Sequence, residues 1–328
     1  MSPISLRAAL AAGLLCLLNA LPSFPGQPGA AFAQAPTTIS GTGVSLVPPK
    51  GMTPAKGFAG FEHANGASVL AAEFPPEAYA QILTTFTPDG VTASGMTASG
   101  TAIDWKVAGG TGGRLMRGKQ TAHGIEFRKW LLLAKGPSNT VLLSVQVPEA
   151  KNSGLTDASV EAALKTVALK APPSLDDQAG ALPFRLGDRA GFRLVRVIAG
   201  SGLLLTDGPR DTITDASQPV VIVASALGAV DTDDEAKRTD LAQQAFATIA
   251  GVSDVTIVSQ TMQEKDGAFW SRIEGRGTYR DSMEAISTLQ LVRFDKGSYV
   301  RVVAIARSLD KDKILPRVDA LAASITPK

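Results

Sequence analysis

One order of elements occurs twice along this chain, before and after residues 170–181 (KAPPSLDDQAGA), and that repetition constrains the fold more than any other feature. The dividing segment is rich in Pro, Asp and Ala, the composition of a linker that few contacts need to cross. Before it, strand patterns fall at 44–52, 58–62 and 67–74, followed by a helical segment at 75–86. After it, they fall at 182–186, 190–198, 203–205 and 219–227, followed by a helical segment at 233–250. Each half then runs into two long strands joined by a Lys-Gly turn: 125–134 through Lys135-Gly136 into 140–147, and 286–295 through Lys296-Gly297 into 299–306. Short turns between such strands imply antiparallel pairing.

The periodicities support this assignment. Val141, Leu143, Val145 and Val147 alternate with Thr140, Ser144 and Gln146, the period of two that marks a strand with one buried face. Leu241, Ala242, Ala245, Phe246 and Ile249 recur at helical intervals, and Asp231, Asp233, Asp234 and Glu235 crowd the start of that helix, where carboxylates cap free N–H groups. The same cluster lacks the central Gly and closing Glu of a calcium loop. Each half closes on an amphipathic helix, marked by Val160, Leu164 and Val167 and by Ile314, Val318, Leu321 and Ile325. Pro316 is expected in the first turn of the second of these, where proline is tolerated. The interval from Gly136 to Gly297 matches that from Val167 to Ile325 to within three residues, as a duplication requires. The expected fold class is therefore α+β: two tandem copies of an antiparallel β-sheet domain with an inserted helix and a C-terminal helix, at 34–169 and 182–328. A further landmark, a glycine-rich stretch after a tryptophan, is expected at equivalent places, Gly109–Gly113 after Trp105 and Gly275–Gly277 after Trp270.

Each half resembles a PsbP-like domain, the fold of the extrinsic oxygen-evolving subunit of photosystem II and of related small exported bacterial proteins. The residues that carry the resemblance are Val44-Ser-Leu-Val-Pro-Pro-Lys-Gly-Met52, Phe58-Ala-Gly-Phe61 leading into Ser68-Val-Leu70, and Lys129-Trp-Leu-Leu-Leu133 with Val141-Leu-Leu-Ser-Val145, completed by the terminal helix. The second copy lacks Pro-Pro-Lys-Gly and carries Gly187-Asp-Arg-Ala-Gly191 instead. The resemblance implies a non-catalytic binding or assembly role and names no partner.

The N-terminus specifies an address. Arg7 precedes an uncharged apolar run over 8–21, too short for a bilayer span and followed by Pro22, Pro25 and Pro28. Ala31-Phe-Ala33 then offers small residues at the −3 and −1 positions of a signal-peptidase site. Residues 1–33 are thus expected to be a signal peptide cleaved after Ala33, and the mature protein to be exported to the periplasm, with no transmembrane segment. Cys16, the one cysteine, follows Leu14-Leu15 inside the apolar run, which does not suit a lipidation site; it leaves with the signal, so the mature chain has no thiol.

Composition and motifs exclude more chemistry than they suggest. A net charge of +2 and 5% aromatic residues argue against nucleic acid as a partner. Without cysteine, and with His63 and His123 the only histidines, both in turn-like surroundings, no metal set or thiol chemistry can be composed. Gly200-Ser-Gly202 lacks the spacing of a nucleophile elbow and reads as a turn between strands. No helix follows Gly109–Gly113 to make a phosphate loop. Asp176-Asp177 and Asp310/Asp312 read as solvated charge, and Trp105, Trp130 and Trp270 as core. No catalytic residue, metal or cofactor is expected. One feature recurs: Arg114, Arg117 and Lys119 follow the glycines of the first half, and Arg276 and Arg280 lie at those of the second, a candidate basic strip for an anionic ligand or an envelope protein. The expected function is an exported, non-catalytic binding or assembly protein of the bacterial envelope. The alternatives are an envelope hydrolase with its active site between the repeats and a small-ligand carrier.

Overall fold

The computed structural model describes residues 35–122, 124–149, 154–198, 200–213, 215–226, 230 and 232–328. The signal-peptide expectation, His123 and Asp231 lie outside these residues. Two compact units divide between Leu182 and Pro183. No helix among the described residues is long and apolar enough to cross a membrane.

In the first unit, a small sheet joins β1 (Thr37–Thr38), β2 (Val44–Leu46) and β11 (Ala168–Leu169). The main sheet uses β3 (Thr53–Pro54), β4 (Gly60–Glu62), β5 (Ser68–Phe74), β6 (Thr97–Ala98), β7 (Ile103–Asp104), β8 (Gly112–Ala122), β9 (Ile125–Lys135) and β10 (Thr140–Pro148). Its order is β3-β4-β5-β10-β9-β8-β6, with β7 also on β8, and every pairing is antiparallel. Register runs straight across the centre: Leu115 lies opposite Leu132, which lies opposite Leu143, which lies opposite Ala71, and all four are buried. On this face packs the closing helix Asp157–Lys165, through Val160 and Leu164. Thr156 caps that helix, its hydroxyl accepting from Ser159 N–H. The inserted segment, helices Ala78–Thr85 and Pro88–Thr92, lies over the other face, where Tyr79 approaches Gly112 and Lys135 and Met96 approaches Gly118. With helices on both faces, Leu131, Leu133 and Leu142 are buried along with their alternating neighbours.

The second unit repeats this topology. β12 (Phe184–Leu186) pairs β20 (Ile325–Pro327), as β2 pairs β11. Its main sheet is β13 (Arg193–Ile198), β14 (Gly202–Thr206), β15 (Val220–Ser225), β16 (Val252–Lys265), β17 (Ala268–Tyr279), β18 (Ala285–Asp295) and β19 (Ser298–Arg307), in the order β13-β14-β15-β19-β18-β17-β16. Position by position this is the order of the first sheet. Helix Glu235–Ala247, capped by Asp234, is inserted between β15 and β16 and buries Ala242 and Phe246 against β17 and β18. Helix Lys311–Ala323 closes the unit. Each unit is thus an α+β antiparallel sheet with an inserted helix and a C-terminal helix.

Three details depart from the sequence reading. Residues 170–181 are not an open linker: Ser174 accepts from Asp177 N–H and caps a short helix, Leu175–Gly180, while Lys170 N–H donates to Gly43 O and holds the segment to the first unit. Pro316 lies inside the closing helix, because that helix begins at Lys311, a turn earlier than its counterpart. The two glycine landmarks are not equivalent. Gly112 and Gly113 pair with Lys135 and Ala134 at the end of β9, whereas Gly275 and Gly277 pair with Thr288 and Ile286 near the start of β18. Distance from a tryptophan does not report register, and register decides position in a sheet.

Candidate functional site

The candidate basic strip is divided by the pleat. β8 pairs β9 without a break from Gly112 to Ala122, so Arg117 and Lys119 share a face and Arg114 points to the other. Each is already matched by a carboxylate. Arg114 Nη1 meets Asp104 at 2.5 Å, Arg117 Nε meets Glu161 at 2.6 Å, and Lys119 Nζ meets Glu126 at 2.6 Å with Glu149 at 3.7 Å. The hydrogen bonds to Glu161 and Glu126 raise the pKa of Arg117 and Lys119 respectively. In the second unit Arg276 is exposed on β17, and Arg280 donates from Nη2 to Val252 O at 3.2 Å. Within the first unit, Arg117 and Lys119 therefore share a face that Arg114 does not.

A different charged pair does recur in both units, and the repeat intervals locate it. Arg117 lies opposite Trp130 and Arg272 opposite Leu291, each partner six residues before its hairpin glycine, Gly136 or Gly297. Glu161 and Asp319 each lie six residues before Val167 or Ile325. Arg272 Nε meets Asp319 at 3.1 Å, as Arg117 meets Glu161. Asp319, first among the causes, raises the pKa of Arg272. In both units this pair ties the strand next to the edge to the closing helix. Arg272 escaped the sequence reading because only the offset, not local pattern, points to it.

On the opposite face the first sheet buries a cation, and the second a glutamine at the matching position. Lys129 is 1% exposed, and Nζ donates to Gln120 Oε1 at 2.5 Å. Burial lowers its pKa to about 7. The corresponding position seven residues before the second hairpin glycine is Gln290, fully buried, which donates to Ala242 O and accepts from Arg301 Nε at 2.7 Å. Arg301 also donates to Ala245 O at the end of the inserted helix. Gln290 and Arg301 thus tie the inserted helix to the second sheet, whereas Lys129 and Gln120 join two strands of the first.

Two surfaces of the second unit are open. One is a cleft of about 470 Å³ lined by Asp207, Gly208, Arg210, Gln218, Arg307 and Lys313, among others. Its arginines are matched: Arg210 by Asp215 at 3.0 Å and Arg307 by Asp310 at 2.9 Å, while Asp207 is taken by Arg317 at 2.5 Å. The Arg317 bond keeps Asp207 below the usual carboxylate range, and the Arg210 bond, followed by that of Ser217, lowers Asp215 to about 2. The other surface is the outer edge of β16. Where the first unit ends its sheet in the two-residue β6, the second ends in a 14-residue strand with no strand beyond it among the described residues. Register breaks between Ser253 and Thr256 and between Ile257 and Ser259; the second leaves Val258 unpaired, 58% exposed beside the 42%-exposed Ile257. Asp254, at the first break, adopts φ of 55°.

The remaining candidates are placed as their sequence context suggested. His63 Nδ1 shares a 2.6 Å hydrogen bond with Asn65 in the turn before β5. Ser201 sits in the β13–β14 turn, its hydroxyl donating to Ile198 O. Trp130 and Trp270 are buried, and Trp105 packs on the core and donates to Leu164 O. No group of three or more metal-ligating side chains occurs among the described residues.

Two sheets of one topology, each closed by an inserted and a terminal helix, define the class of protein. No family model matches the chain, and no curated protein matches it. Among solved structures it is similar to the solution structure of cyanobacterial PsbP (CyanoP) from Synechocystis sp. PCC 6803, with 14% identity and a TM-score of 0.34 over 44% of this chain and 87% of that one. The chain is likewise similar to the apo immunity protein TplEi of T6SS from Pseudomonas aeruginosa, 12% identical over 90% of this chain and 97% of that one, TM-score 0.32. It is similar, too, to a chain of the Tle4–Tli4 complex, 9% identical over 90% and 97%, TM-score 0.30. Likenesses of this size concern the fold alone.

Proposed function

We propose that this protein is an exported, non-catalytic binding protein of the bacterial envelope, and that its partner is a protein whose extended segment adds to the edge of β16. The observation that carries this reading is the contrast between the two sheet edges: the same topological position is a two-residue strand in one unit and a 14-residue open strand in the other. An edge strand presents a row of unpaired N–H and C=O groups, and main-chain pairing there is a recurrent mode of peptide capture. Exposed Ile257 and Val258 add apolar contact at the middle of that edge. The two register breaks twist the strand locally, a device that discourages indiscriminate edge pairing.

Photo-crosslinkers placed at Val258, on β16, and at Arg193, on the opposite edge strand β13, test it in the native envelope. The reading expects a discrete protein adduct at Val258 alone, lost when the probe is carried in the Ile257→Lys, Ser259→Lys double variant while thermal stability is unchanged. Equal adducts from both edges, or capture that survives the double variant, would overturn it.

The cleft at Arg210, Arg307 and Lys313 supports a second reading, carriage of a small anionic ligand, since Lys313 adds a cation beyond the matched arginines. Native mass spectrometry of protein isolated from its source checks it: a retained acidic solute that disappears in Lys313→Ala is the outcome this reading requires.

A further inference from the structure

Glu73 and Asn139 are hydrogen-bonded to each other, and among the described residues each keeps a buried oxygen with no partner. Glu73, on β5, accepts at Oε1 from Asn139 Nδ2 at 2.7 Å and from Gly43 N–H at 3.1 Å. Glu73 Oε2 and Asn139 Oδ1 have none among the described residues. Asn139 is 2% exposed in the β9–β10 hairpin, where Oδ1 lies so close to Gly136 that a Cβ there would overlap it. The site thus holds two bare acceptors and lacks a donor. An ionised carboxylate is acceptor only, whereas a carboxylic acid has one O–H to donate.

We propose that Glu73 is a neutral acid in the folded protein, its Oε2–H supplying the donor that Asn139 Oδ1 lacks, and that it serves as a proton-dependent latch joining the opening segment, β5 and the β9–β10 hairpin. Burial raises the Glu73 pKa above 4.5, the Gly43 and Asn139 hydrogen bonds opposing it, and no charged side chain contributes. The flanking lysines explain why. Lys135 lies on the other face of the sheet, 6.0 Å over the Tyr79 ring, and Lys170 beside Gly43 is exposed. A carboxyl whose folded pKa lies above its unfolded one contributes stability that is complete below the unfolded pKa and is lost as pH rises through the folded one. The latch is therefore closed in acid and weakened as pH rises.

The test follows Glu73 in the full chain by NMR of carboxyl-labelled glutamate, with the Glu73→Gln variant, whose amide accepts at Oε1 and donates from Nε2, as a permanently closed latch. Glu73 is expected to titrate above 4.5. In the wild type, the melting temperature of the first unit should fall as pH rises through the midpoint of Glu73, and in Glu73→Gln this fall should vanish. A Glu73 midpoint at or below the ordinary value would overturn the proposal. So would a Glu73→Gln variant less stable than wild type in mild acid, or a melting temperature raised by sodium or calcium chloride in wild type and not in the variant, which would give the two oxygens to a cation. Should the variant fail to fold, the wild-type titration decides alone.

Discussion

At the scale of single residues, the chemistry of this chain lies in what its sheets bury. Lys129 exchanges water for one neutral partner, Gln120, and its pKa falls from 10.5 to about 7. A lysine depressed on folding binds fewer protons folded than unfolded across that interval, so its contribution to stability grows as pH rises from about 7 towards about 10. Denaturant unfolding of the first unit at several pH values should show this rise, and Lys129→Met should abolish it. Glu73 acts in the opposite direction, losing rather than gaining stabilisation as pH rises, so the sign of the dependence separates the two groups. Neither was visible in sequence. Lys129 stands in Lys-Trp-Leu-Leu-Leu, and alternation places it opposite Trp130 without saying that an inserted helix covers its face too.

At the scale of elements, the repeated contact is an ion pair between strand and closing helix: Arg117 with Glu161 and Arg272 with Asp319. Both pairs are partly solvated, so a double-mutant cycle on Arg272 and Asp319 should return a coupling of about 0.2–1 kcal/mol, with the matching value for Arg117 and Glu161. A coupling near zero in both would mean that apolar packing by Val318 and Leu321 alone seats the helix. The helix is one turn longer in the second unit, and Pro316 is accommodated inside it, although a proline there removes a backbone hydrogen bond. Strand β16 makes the same point from the other side. Its composition, Val-Ser-Asp-Val-Thr-Ile-Val-Ser-Gln-Thr-Met-Gln-Glu-Lys, has strong strand formers but little alternation in burial, because it sits at an edge with most side chains exposed.

At the scale of the whole molecule, each unit has its own apolar core: one built on Leu132, Leu143 and Val160, the other on Phe246, Ile273 and Val292. Leu143 is fully buried at the centre of the first. Leu143→Ala should cost about 2–5 kcal/mol, and hydrogen exchange should report that loss across β5, β8, β9 and β10 while protection of β17, β18 and β19 is retained. A loss spread equally over both units would show that they unfold as one.

Several levels of this architecture were legible in the sequence itself. The period of two in 140–147, the Lys-Gly turns at Gly136 and Gly297, and the acid-capped helix after Asp234 are local signals, set by backbone sterics and by which side chains avoid water. Recurring at matched intervals, they determined two α+β units with the same succession of elements. Tertiary structure alone decided which residues meet. Register sent Arg114 to the face opposite Arg117, separated the glycine landmarks, set Arg272 against Asp319, closed Glu73 on Asn139 across the sheet and left β16 without a neighbour. The physical reason is that strand periodicity specifies an alternation of faces, whereas the partner across each rung, and the layer above it, are chosen by packing between segments far apart in the chain.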